Sequence, residues 1–362
     1  MKLIFVIDSL GTGGKERRCL QLIKGLNALG ITNIHLVLFD NIIGYKNIYD
    51  LQVTIHHLNR RKSKDLQVFK KLINIIEDVK PDVIVSWSIM SSFWLNIIHT
   101  FKKFNLISAY VASSNKPSII SLTTLININS FITSRYIVGN SSSGLKAFSI
   151  PKNKSKLIYN GFDSERLIKV MHPEFYKNEF NIQTKFIVTM AARVCLDKDY
   201  QTFIDAARMI LLERTDTTFL AIGEGPLLHY FKSQLSEFES NFIKFTGVIN
   251  DIESILSMTD VSVLCSNHGE GISNFILESM AFSKPVIATN LGGTPEIVEH
   301  NRSGYLIPSH NPTELKVKIT KLLDDPLLRH NFGCRSSEIV DEKFSLEKMC
   351  ESFLKIFVEI SK

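Results

Sequence analysis

The stretch VSVLCSNHGEGISNFILESMAFSKPVIAT, residues 261–289, decides the fold of this chain because it contains one complete strand–helix–strand pattern. Short apolar runs at 261–266 and 285–289 flank a polar loop and a helical pattern over 273–282. Two apolar strands joined through a helix form a βαβ unit, which predicts a parallel sheet covered by helices. Ligands bind at the loops that follow strands in such a sheet, so the loop 267–271 is a candidate site.

The same alternation of short apolar runs and helical patterns extends along the chain and predicts two α/β domains. The further predicted strands are residues 2–8, 34–39, 82–87, 106–112, 136–140, 156–159, 186–192, 218–223 and 243–247. Residues 161–184 lack clear periodicity, and we place the linker there. We therefore predict an N-terminal domain over 1–165 and a C-terminal domain over 166–344. The final helix, 345–361, has an apolar stripe that needs a partner surface.

The composition is that of a globular protein without a membrane span. The chain has 362 residues, of which 44% are hydrophobic and 22% are charged, enough for two ordinary domains. No stretch approaches about 18 uncharged apolar residues, so we expect no transmembrane helix. The five cysteines are scattered without a CxxC pair, which favours a reducing compartment over a disulfide framework or a zinc site.

Positive charge is concentrated in the first part of the chain. Residues 1–165 contain 21 Lys and Arg against 10 Asp and Glu, a net charge of +11, whereas the remainder has 21 against 26, a net charge of −5. This asymmetry indicates that the first domain meets something anionic: a phosphorylated ligand, an acidic membrane surface or nucleic acid. No nucleic-acid-binding signature accompanies the charge, so we expect no nucleic acid partner.

Two glutamates, Glu270 and Glu278, bracket seven residues around the predicted helix start. Backbone N–H groups near Ser273 and Asn274 lack helical partners and are suited to the diphosphate of a nucleotide. Glu278 would then accept hydrogen bonds from two ribose hydroxyls, and Glu270 would reach a group beyond the diphosphate. From these residues alone, a pair of glutamates favoured by the helix dipole, or a solvated helix face, is an equally good interpretation.

The wider segment SNHGEGISNFILESMAFSKPVIATNLGGTPEIVEHNRSGYLIP, residues 266–308, resembles the donor-site region of retaining GT-B glycosyltransferases of family 4. The E-x7-E spacing, the ESMA helix, the KPVIAT strand, the GG-x-PEIV loop and the SGYLIP strand follow the family's order. Further matching segments are LGTGGKERRCLQLIKGL (10–26), VGNSSSGLK (138–146), IYNGFD (158–163), AARVCLDKDYQTFIDAA (191–207), GEGP (223–226) and FTGVIND (245–251). The resemblance covers nearly the whole chain. It implies the GT-B fold, in which two Rossmann-like α/β domains with parallel sheets face each other across a cleft. It also implies that the final helix, 345–361, packs back on the N-terminal domain.

The resemblance also implies roles for individual residues. Arg193, Lys198 and Glu270 would be catalytic, with the two cations neutralising the departing diphosphate. Glu278 would bind the donor ribose. The other donor-binding residues that the resemblance implies are Gly13, Gly14, Gly223, Gly271, Ile272, Ser273, Asn274, Gly292, Gly293 and Thr294. The structural alternatives are an ordinary surface lysine at position 198 and simple tight turns at the glycines.

The chain departs from the family's pattern at three places. Ala192 stands where the family usually has glycine, and Lys15 adds a charge where alanine is common. The loop after the fourth predicted strand reads SSNK, residues 113–116, without the histidine or arginine that many members carry there. We assign Asn115 and Lys116 as acceptor-binding residues, and the altered loop leaves a different handling of the acceptor open.

We expect a hexosyltransferase that moves a sugar with retention of configuration from a nucleotide-sugar donor, a UDP-hexose or a UDP-N-acetylhexosamine. The acceptor would be a glycan or a polyprenyl-diphosphate-linked oligosaccharide in bacterial surface polysaccharide biosynthesis, such as that of lipopolysaccharide or capsule. Only the resemblance favours UDP over GDP. The nucleotide-sugar is a substrate, and we expect no cofactor or metal, because the sequence has no HExxH motif and no His/Cys cluster.

Two alternatives stay open: a nucleotide-sugar-binding GT-B protein without transferase activity, and a nucleotide-sugar epimerase. A nicotinamide dehydrogenase fits less well, because Glu16 occupies the third glycine position of a G-x-G-x-x-G motif. We expect a cytoplasmic protein that is peripheral at the inner face of the cytoplasmic membrane. There the basic runs 60–71 and 101–103 would contact anionic lipid, although a solvated charged helix explains the first run equally well.

Overall fold

The computed structural model describes residues 1–60, 65–115, 122–168 and 170–361, and it divides the chain into two compact units. Unit 1 contains residues 1–161 and the C-terminal helix from Leu346 onward, and unit 2 contains Phe162–Ser345. Unit 2 begins at Phe162 instead of residue 166 because the Phe162 N–H donates to the Phe344 carbonyl at 2.7 Å. That hydrogen bond joins the two chain ends of unit 2.

Unit 1 is a seven-stranded sheet with helices along the connections. Its strands are β1 (Leu3–Ile7), β2 (Ile34–Leu38), β3 (Thr54–His57), β4 (Val83–Ser86), β5 (Leu106–Val111), β6 (Tyr136–Gly139) and β7 (Ser155–Leu157). Its helices are α1 (Gly14–Ala28), α2 (Leu66–Val79), α3 (Ile89–Phe101), α4 (Leu122–Thr133), α5 (Ser142–Ala147) and, at the C-terminus, α15 (Leu346–Ser361). The strand order is β3-β2-β1-β4-β5-β6-β7 with parallel pairing throughout, so the order reverses between β1 and β4.

Unit 2 is a six-stranded parallel sheet of the same kind. Its strands are β8 (Phe186–Ala191), β9 (Thr217–Ile222), β10 (Ile243–Gly247), β11 (Val261–Leu264), β12 (Val286–Thr289) and β13 (Gly304–Ile307). Its helices are α6 (Pro173–Glu179), α7 (Tyr200–Leu211), α8 (Leu228–Ser233), α9 (Glu237–Ser240), α10 (Ile252–Met258), α11 (Asn274–Ala281), α12 (Thr294–Ile297), α13 (Pro312–Asp324) and α14 (Pro326–Lys343). The strand order is β10-β9-β8-β11-β12-β13, which reverses between β8 and β11. Two Rossmann-like units with parallel sheets are the predicted fold class, which is confirmed.

The strands are apolar on both faces because helices cover both sides of each sheet. In β1, all five residues are buried. Phe5 belongs to a core cluster on the side of α1 and α15, and Ile4 belongs to a second cluster on the side of α2 and α3. The apolar stripe of the C-terminal helix lies in the first cluster, where the ring centroids of Phe353 and Trp87 are 5.9 Å apart.

The elements α6 and β3 are among those that the sequence pattern misses. The segment that we interpret as a linker contains α6, which has seven residues and is too short to show helical periodicity. Pro173 starts this helix, and Tyr176 is buried in unit 2. The strand β3 lies at the edge of its sheet with half-buried and exposed residues, so it has no apolar run.

None of the helices in the described ranges combines the length and the apolar character that a bilayer crossing requires.

Candidate active site

Unit 2 brings Lys198 and Glu270 together at the C-terminal ends of two neighbouring strands. Lys198 follows β8 and Glu270 follows β11, and these strands pair in parallel. The Lys198 ammonium forms an ion pair with the Glu270 carboxylate, and the Ser266 hydroxyl donates to the same carboxylate oxygen at 2.5 Å. The strand order reverses at this point, where a doubly wound sheet forms a ligand-binding crevice.

Backbone hydrogen bonds tie the loops around this ion pair to one another. The Asn267 N–H donates to the Asp197 carbonyl at 3.0 Å, which joins the loops after β11 and β8. The Gly293 N–H donates to the Glu270 carbonyl at 2.8 Å, which joins the loops after β12 and β11. The loops that follow three neighbouring strands of the sheet, β8, β11 and β12, therefore form one surface beside the ion pair.

The start of α11 lies directly after this surface. Gly271 and Ile272 are buried, and Ser273 is the N-cap residue of the helix that begins at Asn274. The Ser273 side chain makes no capping hydrogen bond, so its hydroxyl does not use a backbone donor of the first turn. A helix start of this kind suits an anion such as a diphosphate, although its role here stays a prediction.

Glu278 lies in the second turn of α11 and is only 6% exposed. Its carboxylate accepts a hydrogen bond from Arg166 Nη2 at 2.9 Å, and Arg166 Nε also donates to Glu253 in α10 at 2.6 Å. No sequence pattern marks this arginine, because it lies in the short 3₁₀ turn Ser164–Leu167 inside the segment interpreted as a linker. The matching motif IYNGFD ends three residues before it and gives no signal for its partners.

Gly223 and Arg193 lie on neighbouring strand ends. The Gly223 backbone has a φ of +131°, and a β-carbon there would lie 2.1 Å from the Ala192 carbonyl oxygen. Only glycine permits this approach of the two chains. The side chain of Arg193 is exposed, and in the part of the chain that the structure describes it has no ion pair. The structure therefore does not join Arg193 to the Lys198–Glu270 pair.

The loop after β12 contains the three remaining predicted residues of unit 2. Gly292 has a φ of +59°, a left-handed conformation that favours glycine. Gly293 is the N-cap of α12, and Thr294 is its buried first residue. The glycines thus have the structural role of a tight turn into a helix, which is compatible with lining a donor pocket.

In unit 1, Gly13 and Gly14 are exposed and start α1, and their contact with a donor stays a prediction. The neighbouring Lys15 forms an ion pair with Asp8 at 3.2 Å, and the Ser88 hydroxyl donates to Asp8 at 2.5 Å. The positive charge of Lys15, which departs from the family's pattern, is therefore paired with a carboxylate of unit 1.

The predicted acceptor residues are not tested by the structure. The Asn115 N–H donates to the Ser113 hydroxyl at 3.1 Å. Lys116 lies outside the described residues. Across the described ranges, no three His, Cys, Asp or Glu side chains lie close enough together to hold a metal ion.

Comparison with known proteins gives a family model for the second unit. Residues 173–338 match the family described as Glycosyl transferases group 1. The crystal structure of HepE from Anabaena, in complex with UDP and glucose, superposes with a TM-score of 0.87 at 19% identity and covers 99% of this chain and 100% of that one. At this identity the match establishes the fold, which is GT-B.

Two curated relatives illustrate the range of similar proteins. The N-acetyl-alpha-D-glucosaminyl L-malate synthase of Bacillus anthracis is 28% identical over 58% of this chain and 55% of its own length. An uncharacterized glycosyltransferase of Methanocaldococcus jannaschii is 26% identical over 96% of this chain and 95% of its own. For two of the curated relatives that it matches, the chain spans only 60% and 55% of their length. In sequence, this chain is therefore similar to proteins described as glycosyltransferases, and it shares their fold.

Proposed function

We propose that this protein is a retaining hexosyltransferase of glycosyltransferase family 4 that uses a UDP-hexose or UDP-N-acetylhexosamine as donor. The observation that carries the proposal is the position of the Lys198–Glu270 ion pair, at the reversal of the strand order and immediately before α11. A cation, a carboxylate and a helix start are thereby placed within one continuous surface of unit 2.

The three features match the chemical needs of sugar transfer from a nucleotide. Negative charge develops on the diphosphate as the bond to the sugar breaks, and the ammonium of Lys198 and the guanidinium of Arg193 stabilise that charge. The backbone donors at the start of α11 bind the same diphosphate. Glu278 accepts hydrogen bonds from the ribose, and Glu270 binds the sugar beyond the diphosphate. Glu270 acts by position and charge and forms no covalent intermediate.

The donor and acceptor classes rest on the relatives. HepE binds UDP and glucose, which supports a UDP-linked donor. A Staphylococcus aureus relative named poly(ribitol-phosphate) alpha-N-acetylglucosaminyltransferase supports transfer to a cell-surface glycan. We propose a glycan or lipid-linked glycan acceptor and surface polysaccharide assembly, with no metal in the reaction.

We further propose that unit 1 works at an anionic membrane surface. The helix α4 has no charged residue and exposes Leu125, Ile128 and Ile132, and α3 ends in the exposed Phe101 followed by Lys102 and Lys103. Exposed apolar side chains beside lysines suit a surface of anionic lipid headgroups. Sedimentation with phosphatidylglycerol vesicles should show binding that weakens at high salt and weakens further in Ile132→Ser. The absence of salt-sensitive binding would contradict this part of the proposal.

The transferase activity is tested by release of UDP from a panel of UDP-glucose, UDP-galactose and UDP-N-acetylglucosamine, with water as the acceptor. Wild type should hydrolyse at least one donor, and NMR should show the first sugar product with the anomeric configuration of the donor. Lys198→Met should reduce turnover by about 10²–10³-fold, the usual cost of removing a group that stabilises developing charge. Lys177→Met, which removes a half-buried lysine of α6, is the matched control.

Three outcomes would change the account. Inverted product would remove the retaining mechanism. UDP binding without any turnover would favour the non-catalytic binding protein, and interconversion of the donor sugar without UDP release would favour the epimerase.

A further inference from the structure

Arg166 lies between two carboxylates in unit 2. Its Nη2 donates to Glu278 Oε1 at 2.9 Å, and its Nε donates to Glu253 Oε1 at 2.6 Å. The side chains of Arg166, Glu253 and Glu278 are 15%, 13% and 8% exposed, so the three charges are largely removed from water. Hydrogen bonds between charged groups in such surroundings are shorter and stronger than neutral ones.

Contacts outside α11 hold both the turn that contains Arg166 and its guanidinium. Asp163 caps the 3₁₀ turn that contains Arg166 by accepting from the Glu165 N–H at 3.2 Å. The Phe162 ring lies under the guanidinium, with its centroid 5.0 Å from Cζ, and Glu253 anchors the guanidinium from α10. The orientation of the planar guanidinium is therefore fixed independently of its contact with Glu278.

We propose that Arg166 is a positioning residue for the ribose of the donor nucleotide. It fixes the carboxylate of Glu278 in the orientation in which that carboxylate accepts hydrogen bonds from the two ribose hydroxyls. The proposal rests on the proposed function, because it takes Glu278 as the ribose ligand.

Arg166 and its two partners come from distant parts of the chain. Glu253 and Glu278 lie 87 and 112 residues after Arg166, and each belongs to a different helix. An ion triad that only stabilised unit 2 would affect every ligand of the site equally. A positioning residue for ribose affects only ligands that have the ribose hydroxyls, and this difference makes the two roles separable.

The experiment is a set of calorimetric titrations with UDP and GDP and with their 2′,3′-dideoxy counterparts. Ribose is common to both nucleotides, so the test does not depend on the base. Arg166→Gln should weaken binding of the ribonucleotide by about tenfold, the lower range for a hydrogen bond to a charged group. It should change the affinity for the dideoxy nucleotide by less than about twofold, since no hydroxyl is left to be positioned. Arg166→Lys, which keeps the charge but loses the fork, should recover part of the loss.

Two further variants complete the design. Arg208→Gln removes another ion-paired arginine of unit 2 and should leave both affinities unchanged. Glu253→Gln leaves Arg166 in place but removes the charge that pairs with it. It should therefore weaken binding of the ribonucleotide and not of the dideoxy nucleotide. This variant replaces Arg166→Gln in the test if Arg166→Gln does not fold.

The outcomes are distinct. Equal weakening of ribonucleotide and dideoxy nucleotide, or no change in a folded Arg166→Gln, would overturn the positioning role while the proposed function stands. Failure of wild type to bind either ribonucleotide would overturn the proposed function, and the positioning role with it.

Discussion

At the scale of single residues, the site of unit 2 depends on side chains that are far apart in the sequence. Lys198 and Glu270 are separated by 72 residues and meet because β8 and β11 are neighbours in the sheet. Both were predictable, since each lies in a recognisable motif and strand ends of a parallel sheet share an edge. Arg166 was not predictable, because its turn has no periodicity and nothing local marks Glu253 and Glu278 as its partners.

Gly223 gives a prediction about stability at this scale. A β-carbon at this position would lie 2.1 Å from the Ala192 carbonyl oxygen, and the backbone φ is +131°. Gly223→Ala should therefore lower the free energy of unfolding by about 1–3 kcal/mol or more, the cost of a strained backbone with an added collision. Urea unfolding measures the effect.

The matched control is Gly247→Ala in the same unit. Gly247 also has a positive φ, +76°, but a β-carbon there would meet nothing closer than 3.7 Å. The Gly223 variant should be the less stable of the two. Equal stability of the two variants would show that the approach to Ala192 imposes no constraint.

At the scale of elements, the paired strands β2 and β3 contain two histidines that face each other. His35 Nδ1 and His56 Nε2 are 2.9 Å apart, and one ring must accept from the other. Burial lowers the pKa of both rings below the ordinary value of 6.5. The pKa of His35 is lowered further by the charges of His56 and Lys2, and the pKa of His56 by the charge of His57.

These shifts predict that the protein loses stability in acid. Because the pKa values of His35 and His56 are lower in the folded state, the unfolded chain binds more protons below about pH 6.5, and stability falls as the pH decreases through that range. Thermal unfolding between about pH 7.5 and about pH 5.5 measures the loss. His56→Gln should reduce the pH dependence, whereas His229→Gln, at an exposed position in α8, should not. Identical pH profiles of wild type and His56→Gln would contradict the assignment.

The elements also show where sequence patterns succeed and fail. The strand and helix over 261–282 were predictable because their apolar residues are buried in continuous runs. The start of α13 was predictable from a different signal, because Asn followed by Pro is typical of a helix start. There Asn311 accepts from the Glu314 N–H at 2.9 Å, and Pro312 begins the helix. The elements β3 and α6 were not, because an edge strand and a helix of two turns bury too few side chains to leave a pattern.

At the scale of the whole molecule, unit 1 is built from two separate parts of the chain. The helix α15 places Phe353 and Phe357 in the core cluster that contains Phe5 and Trp87. Its apolar stripe made the need for a partner surface predictable, but the sequence could not identify which strands would supply it. Residues 1–161 alone therefore lack part of their own core.

Removal of the Phe353 ring from α15 should destabilise unit 1 strongly. Phe353 is fully buried, and a Phe→Ala change at such a site costs about 3–5 kcal/mol. Phe353→Ala should lower the temperature at which unit 1 melts in calorimetry. Val358→Ala, at an exposed position of the same helix, is the control and should melt like wild type. Equal melting of the two variants would mean that α15 does not complete the core of unit 1.

Our central proposal is that unit 2 binds the nucleotide of a sugar donor at α11, with Glu278 on the ribose. The most direct test is a thermal-shift titration of wild type, Glu278→Gln and Glu237→Gln with UDP and GDP. The last variant changes an exposed glutamate in the first turn of α9. A nucleotide at 100 times its dissociation constant should stabilise wild type and Glu237→Gln by about 2.7 kcal/mol and stabilise Glu278→Gln far less. No stabilisation of wild type by either nucleotide, or the same stabilisation in Glu278→Gln, would contradict the account.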